Sequence, residues 1–389
     1  MGFELSKHYV LAAGGTGGHM VPAAALAAEL TKRGHRVALV SDARGVRFPG
    51  LFDGIQTHVL PAGRFQLKKP QGWASAVREM LRGRAMAREL YRTFKPAAVI
   101  GFGGYPAFPA LLAAFAEKIP TAVHEQNAVL GRVNRVVAGR VGAIATSYAE
   151  TARLPAKLAD KVHLVGNPVR EAVLALRARP YPLLEEDGIF RVLVTGGSQG
   201  ASVLSQVVPD GLAMLPVTFR RRLQVTHQAR IEDIDAVRAK YAEHQIPAEL
   251  ATYLPDMPEQ LAWAHLVIGR AGASTIAELT AAGRPAILVP LPSATDDHQT
   301  ANAREMTKAG GARTIPQSDF TAKELAKQMQ KLGLDPAALE NAAARAKSVG
   351  RPHAVSDLAD LVESLDAPLA RLPVGKPVKP KPALAGMGA

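Results

Sequence analysis

Four glycines surround a threonine and a histidine in Gly14-Gly15-Thr16-Gly17-Gly18-His19, between the apolar run Tyr9 to Ala13 and a helix-forming segment that begins at Val21. Glycines at a strand-to-helix turn let the backbone approach an anion, and the unpaired amides at the start of the helix attract negative charge. His19 adds a group able to move a proton near neutral pH. A dinucleotide site is the rival reading. Gly15 and Gly17 satisfy its first two glycines and Asp42 could bind a ribose, but its third glycine falls at Met20. A plain tight turn with His19 as a satisfied polar residue is the bland alternative.

Three further groups of polar residues follow apolar runs. His124-Glu125-Gln126-Asn127 comes directly after Val123, with Asn134 seven residues beyond Asn127. Such side chains at a strand end suit hydroxyl and amide ligands, and the adjacent His124-Glu125 pair lacks the helical spacing of a zinc site. The stretch Gly269-Arg270-Ala271-Gly272-Ala273-Ser274-Thr275-Ile276-Ala277-Glu278 runs from an apolar strand into a helix. Its hydroxyls can cap that helix or meet a phosphate, and Glu278, one turn on, can reach a ribose diol. Asp296-Asp297-His298-Gln299 offers groups that suit sugar hydroxyls, or an exposed acidic loop. Asp233-Ile234-Asp235 lies in a charged, helix-like stretch and reads as surface.

These groups need strands to present them. Apolar runs at Tyr9 to Ala13, Val37 to Val40, Ala97 to Gly101, Thr121 to His124 and Ala143 to Thr146 alternate with helix-capable segments. A second series follows at Arg191 to Thr195, Leu223 to Thr226, Leu250 to Leu254, Leu266 to Ile268 and Ala286 to Val289. This is the rhythm of parallel α/β units. The two halves rhyme, since Thr195 runs into a second glycine loop, Gly196-Gly197-Ser198-Gln199-Gly200-Ala201. Two nucleotide-type folds in tandem are expected, joined near Gly166-Asn167-Pro168-Val169-Arg170, with a cleft between them.

The chain has 389 residues, no cysteine, a formal net charge of +13 and a sequence pI near 10.0. No disulfide or thiolate metal site can form. Glu4 and His8 interrupt the region where a secretory leader would be apolar, so no leader is expected. The charge implies an anionic partner. With 5% aromatic residues and no nucleic-acid motif in the basic clusters, nucleic acid is not expected. From Arg64 to Lys95 nine basic residues oppose only Glu79 and Glu89, interleaved with Phe65, Leu67, Trp73, Val77, Met80, Leu81 and Met86. That mix suits an anionic membrane surface, and equally a solvated basic face over an ordinary core helix. Past Ala367 the chain turns rich in proline and lysine, a composition that predicts disorder.

The loops at 14–19, 124–127, 196–201, 269–278 and 296–299, in this order and spacing, resemble glycosyltransferase family 28. More closely, they resemble its UDP-N-acetylglucosamine:lipid-linked muramyl-pentapeptide N-acetylglucosaminyltransferases of bacterial cell-wall synthesis. The likeness covers roughly residues 8–365. It implies an α/β protein of GT-B fold, two Rossmann-like domains whose parallel sheets face across a cleft. The implied division is 1–165 for the acceptor and membrane-associating domain and 166–345 for the donor domain, then 346–366 for a helix packing back on the first domain and 367–389 for the basic tail.

The resemblance implies inverting transfer of N-acetylglucosamine to the C4 hydroxyl of undecaprenyl-pyrophosphoryl-muramyl-pentapeptide, lipid I giving lipid II. It further implies no cofactor or metal and a peripheral position on the cytoplasmic face of the plasma membrane. Matched to its motifs, Thr16, Gly17 and Gly18 fall near the donor diphosphate and Asn127 near the sugar. Arg170 and Ser198 join the donor site, and Leu254 lies against the uracil through its backbone. The run Ala273, Ser274, Thr275, Ile276, Ala277 and Glu278 holds diphosphate and ribose, and Gln299 binds the sugar. The chain departs from the pattern where two adjacent glutamines are usual and His298-Gln299 stand instead, and at the variable Leu254-Pro255. The catalytic candidates are His19 and Glu125, either of which could take the acceptor's proton.

Overall fold

The computed structural model describes residues 6–15, 17–45, 50–63, 73–185, 187–197, 200–333 and 335–366. Thr16, Ser198, the first part of the basic segment with Arg64, Phe65 and Leu67, and the tail from residue 367 lie outside them.

Two parallel sheets form the scaffold. The first contains β1 (His8–Ala13), β2 (Arg36–Ser41), β3 (Gln56–Val59), β4 (Ala98–Gly103), β5 (Thr121–Glu125), β6 (Ala143–Thr146) and β7 (Val162–Leu164), in the order β3-β2-β1-β4-β5-β6-β7. The second contains β8 (Phe190–Thr195), β9 (Leu223–Gln228), β10 (Ala248–Ala251), β11 (Leu266–Gly269), β12 (Ala286–Leu288) and β13 (Ala312–Thr314), in the order β10-β9-β8-β11-β12-β13. All the pairings are parallel, as with Leu11 opposite Leu39 on one side of β1 and Ile100 on the other. Central strands are covered by helices on both faces, which is why they read as continuous apolar runs. Tyr9, Val10, Leu11, Ala12 and Ala13 have no exposed surface.

The strands expected at the centre of each sheet are present. Three edge strands, β3, β7 and β13, carry exposed or half-exposed side chains and so gave no apolar run. The strand expected at Leu250 to Leu254 runs instead from Ala248 to Ala251, because the chain turns at Thr252 toward the cavity described below.

Each sheet has a point where strand order reverses, between β1 and β4 and between β8 and β11. Chain leaving neighbouring strands in opposite directions opens a crevice there. The helix Gly17–Lys32 starts at the first crevice and buries Met20, Ala23, Leu26, Ala27 and Leu30 along one stripe. That spacing is the apolar period of a helix lying on a sheet. The other side of this layer is closed by the helix Ala354–Ser364, whose Leu358, Ala359, Leu361 and Val362 join the same core. Arg33 fixes the contact with hydrogen bonds to Asp360 (2.6 Å) and Glu363 (2.7 Å).

The chain passes between the halves after Val165, which lies in the first core, and before Val169, which lies in the second. Gly166 stands there at φ +96°, and a Cβ on it would sit 2.7 Å from the Cβ of Arg351 and 3.0 Å from that of Ala354. The outgoing and returning crossings are therefore packed against each other, and only glycine fits between them.

Three histidines are buried uncharged. His265 accepts a hydrogen bond at Nδ1 from the Arg191 amide (3.0 Å) and faces the Leu183 carbonyl through Nε2 (3.2 Å). His227 meets the Tyr241 hydroxyl at Nδ1, and its Nε2 has no partner among the described residues. His124 lies at 2.9 Å from the Gly166 carbonyl through Nε2. Burial pushes all three down to about 4. Between that value and the ordinary one near 6.5 the unfolded chain binds more protons than the folded chain. Their contribution to stability is thus complete above about pH 6.5 and is lost as pH falls toward about 4. Denaturant midpoints should fall between about pH 7 and about pH 5, and replacing His227 with Asn should flatten the dependence.

Candidate functional site

The carboxyl ends of the two sheets border one cavity of about 1400 Å³. Its walls include Gly17, Gly18, His19, Glu125 and Asn127 from the first half. From the second come Arg170, Leu254, Ala273, Ser274, Thr275, Glu278 and Gln299. Separated by up to 282 positions in sequence, these residues meet because both crevices open on the same space. Ile276 is buried in the core of the second half, and Ala277 lines a separate small cavity with it. Their side chains do not reach the large cavity.

His19 lies in the first turn of its helix. Its Nδ1 is 2.9 Å from the Gly14 carbonyl oxygen, which can only accept, so Nδ1 carries the proton and Nε2 keeps its lone pair. Nε2 faces Gly103, where φ is +94° and a Cβ would stand 3.1 Å from it. Burial pulls the imidazole below its usual range, against the pull upward from the Gly14 hydrogen bond and the Glu125 charge. His19 is consequently a neutral base at neutral pH.

Glu125 is placed differently. Its carboxylate is buried and accepts four N–H bonds. Oε1 receives the Asn127 amide (3.1 Å) and side chain (3.3 Å), and Oε2 receives the Gly131 amide (2.7 Å) and the Asn134 side chain (2.8 Å). The lone pairs are committed to the 127–134 loop. His124 is not in the wall of the cavity but beneath it, fully buried and tied to Gln126 and Gly166.

Asp42 is likewise committed. It accepts from the Gly45 amide (2.9 Å), from Arg44 and, at 3.4 Å, from the Gly15 amide, so it braces the glycine loop. Although burial works to raise its pKa, these bonds hold it below the usual carboxylate range. The ribose-binding acid of a dinucleotide site is thereby accounted for as a structural group.

In the second half, the helix Ala273–Ala282 begins at Gly272 with no side-chain cap. Its first residues, Ala273, Ser274 and Thr275, line the cavity, and the buried Ser274 hydroxyl has no partner among the described residues. A helix start of this kind has unpaired amides that suit an anion. Glu278, one turn deeper, is ion-paired with Arg170 at 2.8 Å. Burial drives its carboxyl up while Arg170 opposes the shift, and burial prevails. Gln299 accepts from the Leu291 amide through Oε1 (2.9 Å), which leaves its amide nitrogen for a ligand.

Several residues of the site carried no clear sequence signal. Gly103, the last residue of β4, leads through Gly104 and Tyr105 into a turn that packs on the first glycine loop, where a Cβ on Gly104 would strike the Gly14 carbonyl at 2.5 Å. The glycine pair after an apolar run was the available clue. Gln228 bonds to the Thr195 hydroxyl (2.8 Å) and the Gly197 carbonyl (3.0 Å), steadying the second glycine loop. Asn302, wholly buried, accepts from the Ala128 amide (2.8 Å) and donates to Asn127 Oδ1 (3.1 Å) and the Ala271 carbonyl (3.2 Å). It ties the loop held by Glu125 to the opposite half.

Two Rossmann-like sheets that share a cleft with anion-binding loops on both sides define a nucleotide-sugar enzyme of the GT-B kind. The chain belongs to glycosyltransferase family 28. The N-terminal domain model of that family matches residues 9–146 and its C-terminal domain model residues 191–361. A protein of Erythrobacter litoralis is 65% identical over 359 residues, 92% of this chain and 90% of its own length. One of Novosphingobium aromaticivorans is 65% identical over 93% of each chain. Both are named UDP-N-acetylglucosamine–N-acetylmuramyl-(pentapeptide) pyrophosphoryl-undecaprenol N-acetylglucosamine transferase. The crystal structure of Acinetobacter baumannii MurG superposes with a TM-score of 0.75 at 30% identity, covering 92% of this chain and 99% of that one.

Glu125→Gln tests the structural part assigned to this carboxylate. Whichever way the amide turns, an NH2 faces two donors, so the variant should unfold at lower denaturant, by about 1–3 kcal/mol.

Proposed function

We propose that this chain transfers N-acetylglucosamine from UDP-N-acetylglucosamine to the C4 hydroxyl of undecaprenyl-pyrophosphoryl-muramyl-pentapeptide, with inversion at the anomeric carbon. The acceptor oxygen attacks that carbon from the face opposite UDP. The bond from carbon to the phosphate oxygen breaks, and its electron pair leaves with UDP. His19 Nε2 takes the hydroxyl proton. The observation that carries this reading is the fixed tautomer of His19, a neutral imidazole with its lone pair in the wall of a cavity that both halves share.

The remaining parts follow from electrostatics. UDP gains negative charge as it leaves, and helix N-termini aimed at that charge need no reorganisation during reaction. Gly17 and Gly18 supply one such terminus; Ala273, Ser274 and Thr275 supply the other. Thr16 and Ser198, outside the described residues, belong by sequence to the two glycine loops at this site. Arg170 exchanges Glu278 for the diphosphate, which releases the Glu278 carboxylate to the ribose hydroxyls. The uracil rests on the backbone at Leu254, and Asn127 with Gln299 holds the sugar. The Ile276 amide is spent on the Gly272 carbonyl (3.0 Å), so Ile276 and Ala277 contribute only as the helical segment that carries Glu278. In this division of labour Glu125 holds the loop that presents Asn127, and His19 does the proton transfer.

The acceptor's lipid calls for a membrane face on the first half. The helix Trp73–Phe94 buries Ala76, Gly83, Ala87, Tyr91 and Phe94 and leaves Trp73, Val77, Leu81 and Met86 exposed beside Arg78 and Arg82. That face would dock on anionic headgroups at the cytoplasmic side of the plasma membrane. No helix among the described residues is long and apolar enough to cross a membrane.

The assay is UDP release from UDP-N-acetylglucosamine with and without the lipid-linked acceptor, with the disaccharide confirmed by mass. Release should depend on the acceptor. His19→Ala should lower kcat by about 10²–10⁴-fold while the Kd for UDP stays within a few-fold. UDP binding without acceptor-dependent release would overturn the reaction proposed here.

A further inference from the structure

Asp296 reaches across the cleft. Its Oδ2 lies 2.7 Å from Arg135 Nη2 and its Oδ1 lies 2.7 Å from Arg153 Nη1, both arginines belonging to the first half. The carboxylate is thus forked between two guanidiniums of the opposite half, and its side chain is only 16% exposed. A charge-assisted pair of this length is strong when partly withdrawn from water.

The backbone at the same point is unusual. Asp296 has φ +57° and Asp297 φ +53°, successive non-glycine residues in the left-handed region, and Arg153 stands at φ +63°. Left-handed backbone is unfavourable for residues with a Cβ and persists where surrounding contacts enforce it. Here the enforcing contacts are local and long-range together. The Asp297 amide donates to the Ala294 carbonyl (3.0 Å), the Asp297 carboxylate accepts from Thr300 (2.8 Å), and Asp296 is held by the two arginines.

The helix His298–Ala309 begins directly after these two residues, so the turn sets where His298 and Gln299 lie in the cavity wall. Gln299 is in turn fixed to the Leu291 amide on the near side of the turn. When the halves separate, both ion pairs to Asp296 break and the turn loses its long-range support.

We propose that Asp296 is a positioning residue for the donor sugar. Its fork to Arg135 and Arg153 holds the left-handed turn that aims Gln299, so the sugar-binding edge of the second half is complete only when the halves are closed. The UDP moiety, seated on the Ala273–Ala282 helix and at Leu254, does not depend on this turn. The inference rests on the placement of the donor sugar at Gln299.

The experiment compares UDP affinity by calorimetry with steady-state kinetics for UDP-N-acetylglucosamine in Asp296→Asn, Arg153→Ala, the double variant and Gln299→Ala. Arg153 is about half exposed, so its variant keeps the test valid should Asp296→Asn fold poorly. Asp296→Asn should lower kcat/KM for the sugar nucleotide at least tenfold and leave the Kd for UDP within twofold. Arg153→Ala should show a smaller loss of the same kind, and the double variant should be little worse than Asp296→Asn alone. Equal losses for UDP and sugar nucleotide, fully additive losses, or no loss would each overturn the proposal. If Gln299→Ala leaves kcat/KM unchanged, the sugar placement fails and the proposal falls with it. If Gln299→Ala impairs the enzyme and neither Asp296→Asn nor Arg153→Ala does, the proposal alone fails.

Discussion

Four N–H groups converge on the buried carboxylate of Glu125, and the geometry of the cleft depends on that convergence. They bind the chain from Asn127 to Asn134 to the end of β5, and the same loop is the one that Asn302 reaches from the second half. A buried carboxylate without donors would be costly; with four it becomes a rigid node. Asn302 continues the network by spending its carboxamide on groups from both halves, so the position of Asn127 is determined from two sides. A carboxylate engaged in this way has its lone pairs committed to the loop, and this is why the proposed proton transfer is assigned to the His19 imidazole.

That imidazole owes its state to its neighbours. His19 is held by the Gly14 carbonyl on one side and packs beside Gly103 on the other, where φ of +94° disfavours any side chain. The same glycine-rich backbone that brings amides close to an anion therefore also fixes the tautomer of the base. Across the cleft, Arg170 and Glu278 are paired at 2.8 Å. An arginine and a carboxylate paired in this manner leave neither charge withdrawn from water without a partner.

Much of this was legible in the chain. Central strands such as β1 and β8 are buried on both faces and so appear as unbroken apolar runs, and the loops that follow them carry the glycines and polar residues that line the cavity. The edge strands β3, β7 and β13 were not legible, because solvent on one side removes the apolar pattern. The loop Gly103-Gly104-Tyr105 was readable in principle from its glycine pair. Asn302 and the fork at Asp296 were not readable as contacts, since their partners on the other half, Arg153, Arg135 and Asn127 among them, lie far away in the sequence. The roles of His19 and Glu125 could not be separated from residue type alone. Their settings differ in the structure, with the Glu125 oxygens accepting four N–H bonds and the His19 Nδ1 alone held by a carbonyl, and the proposal of His19 as the base rests on that difference.

The central claim is that His19 is a neutral, Nδ1-protonated base. Nitrogen NMR of the protein labelled in its histidine rings, with His19→Gln used to assign the signal, reads both tautomer and titration. His19 should show the Nδ1–H tautomer at neutral pH and a pKa below the ordinary 6.5. An imidazolium at neutral pH, or an Nε2–H tautomer, would contradict it.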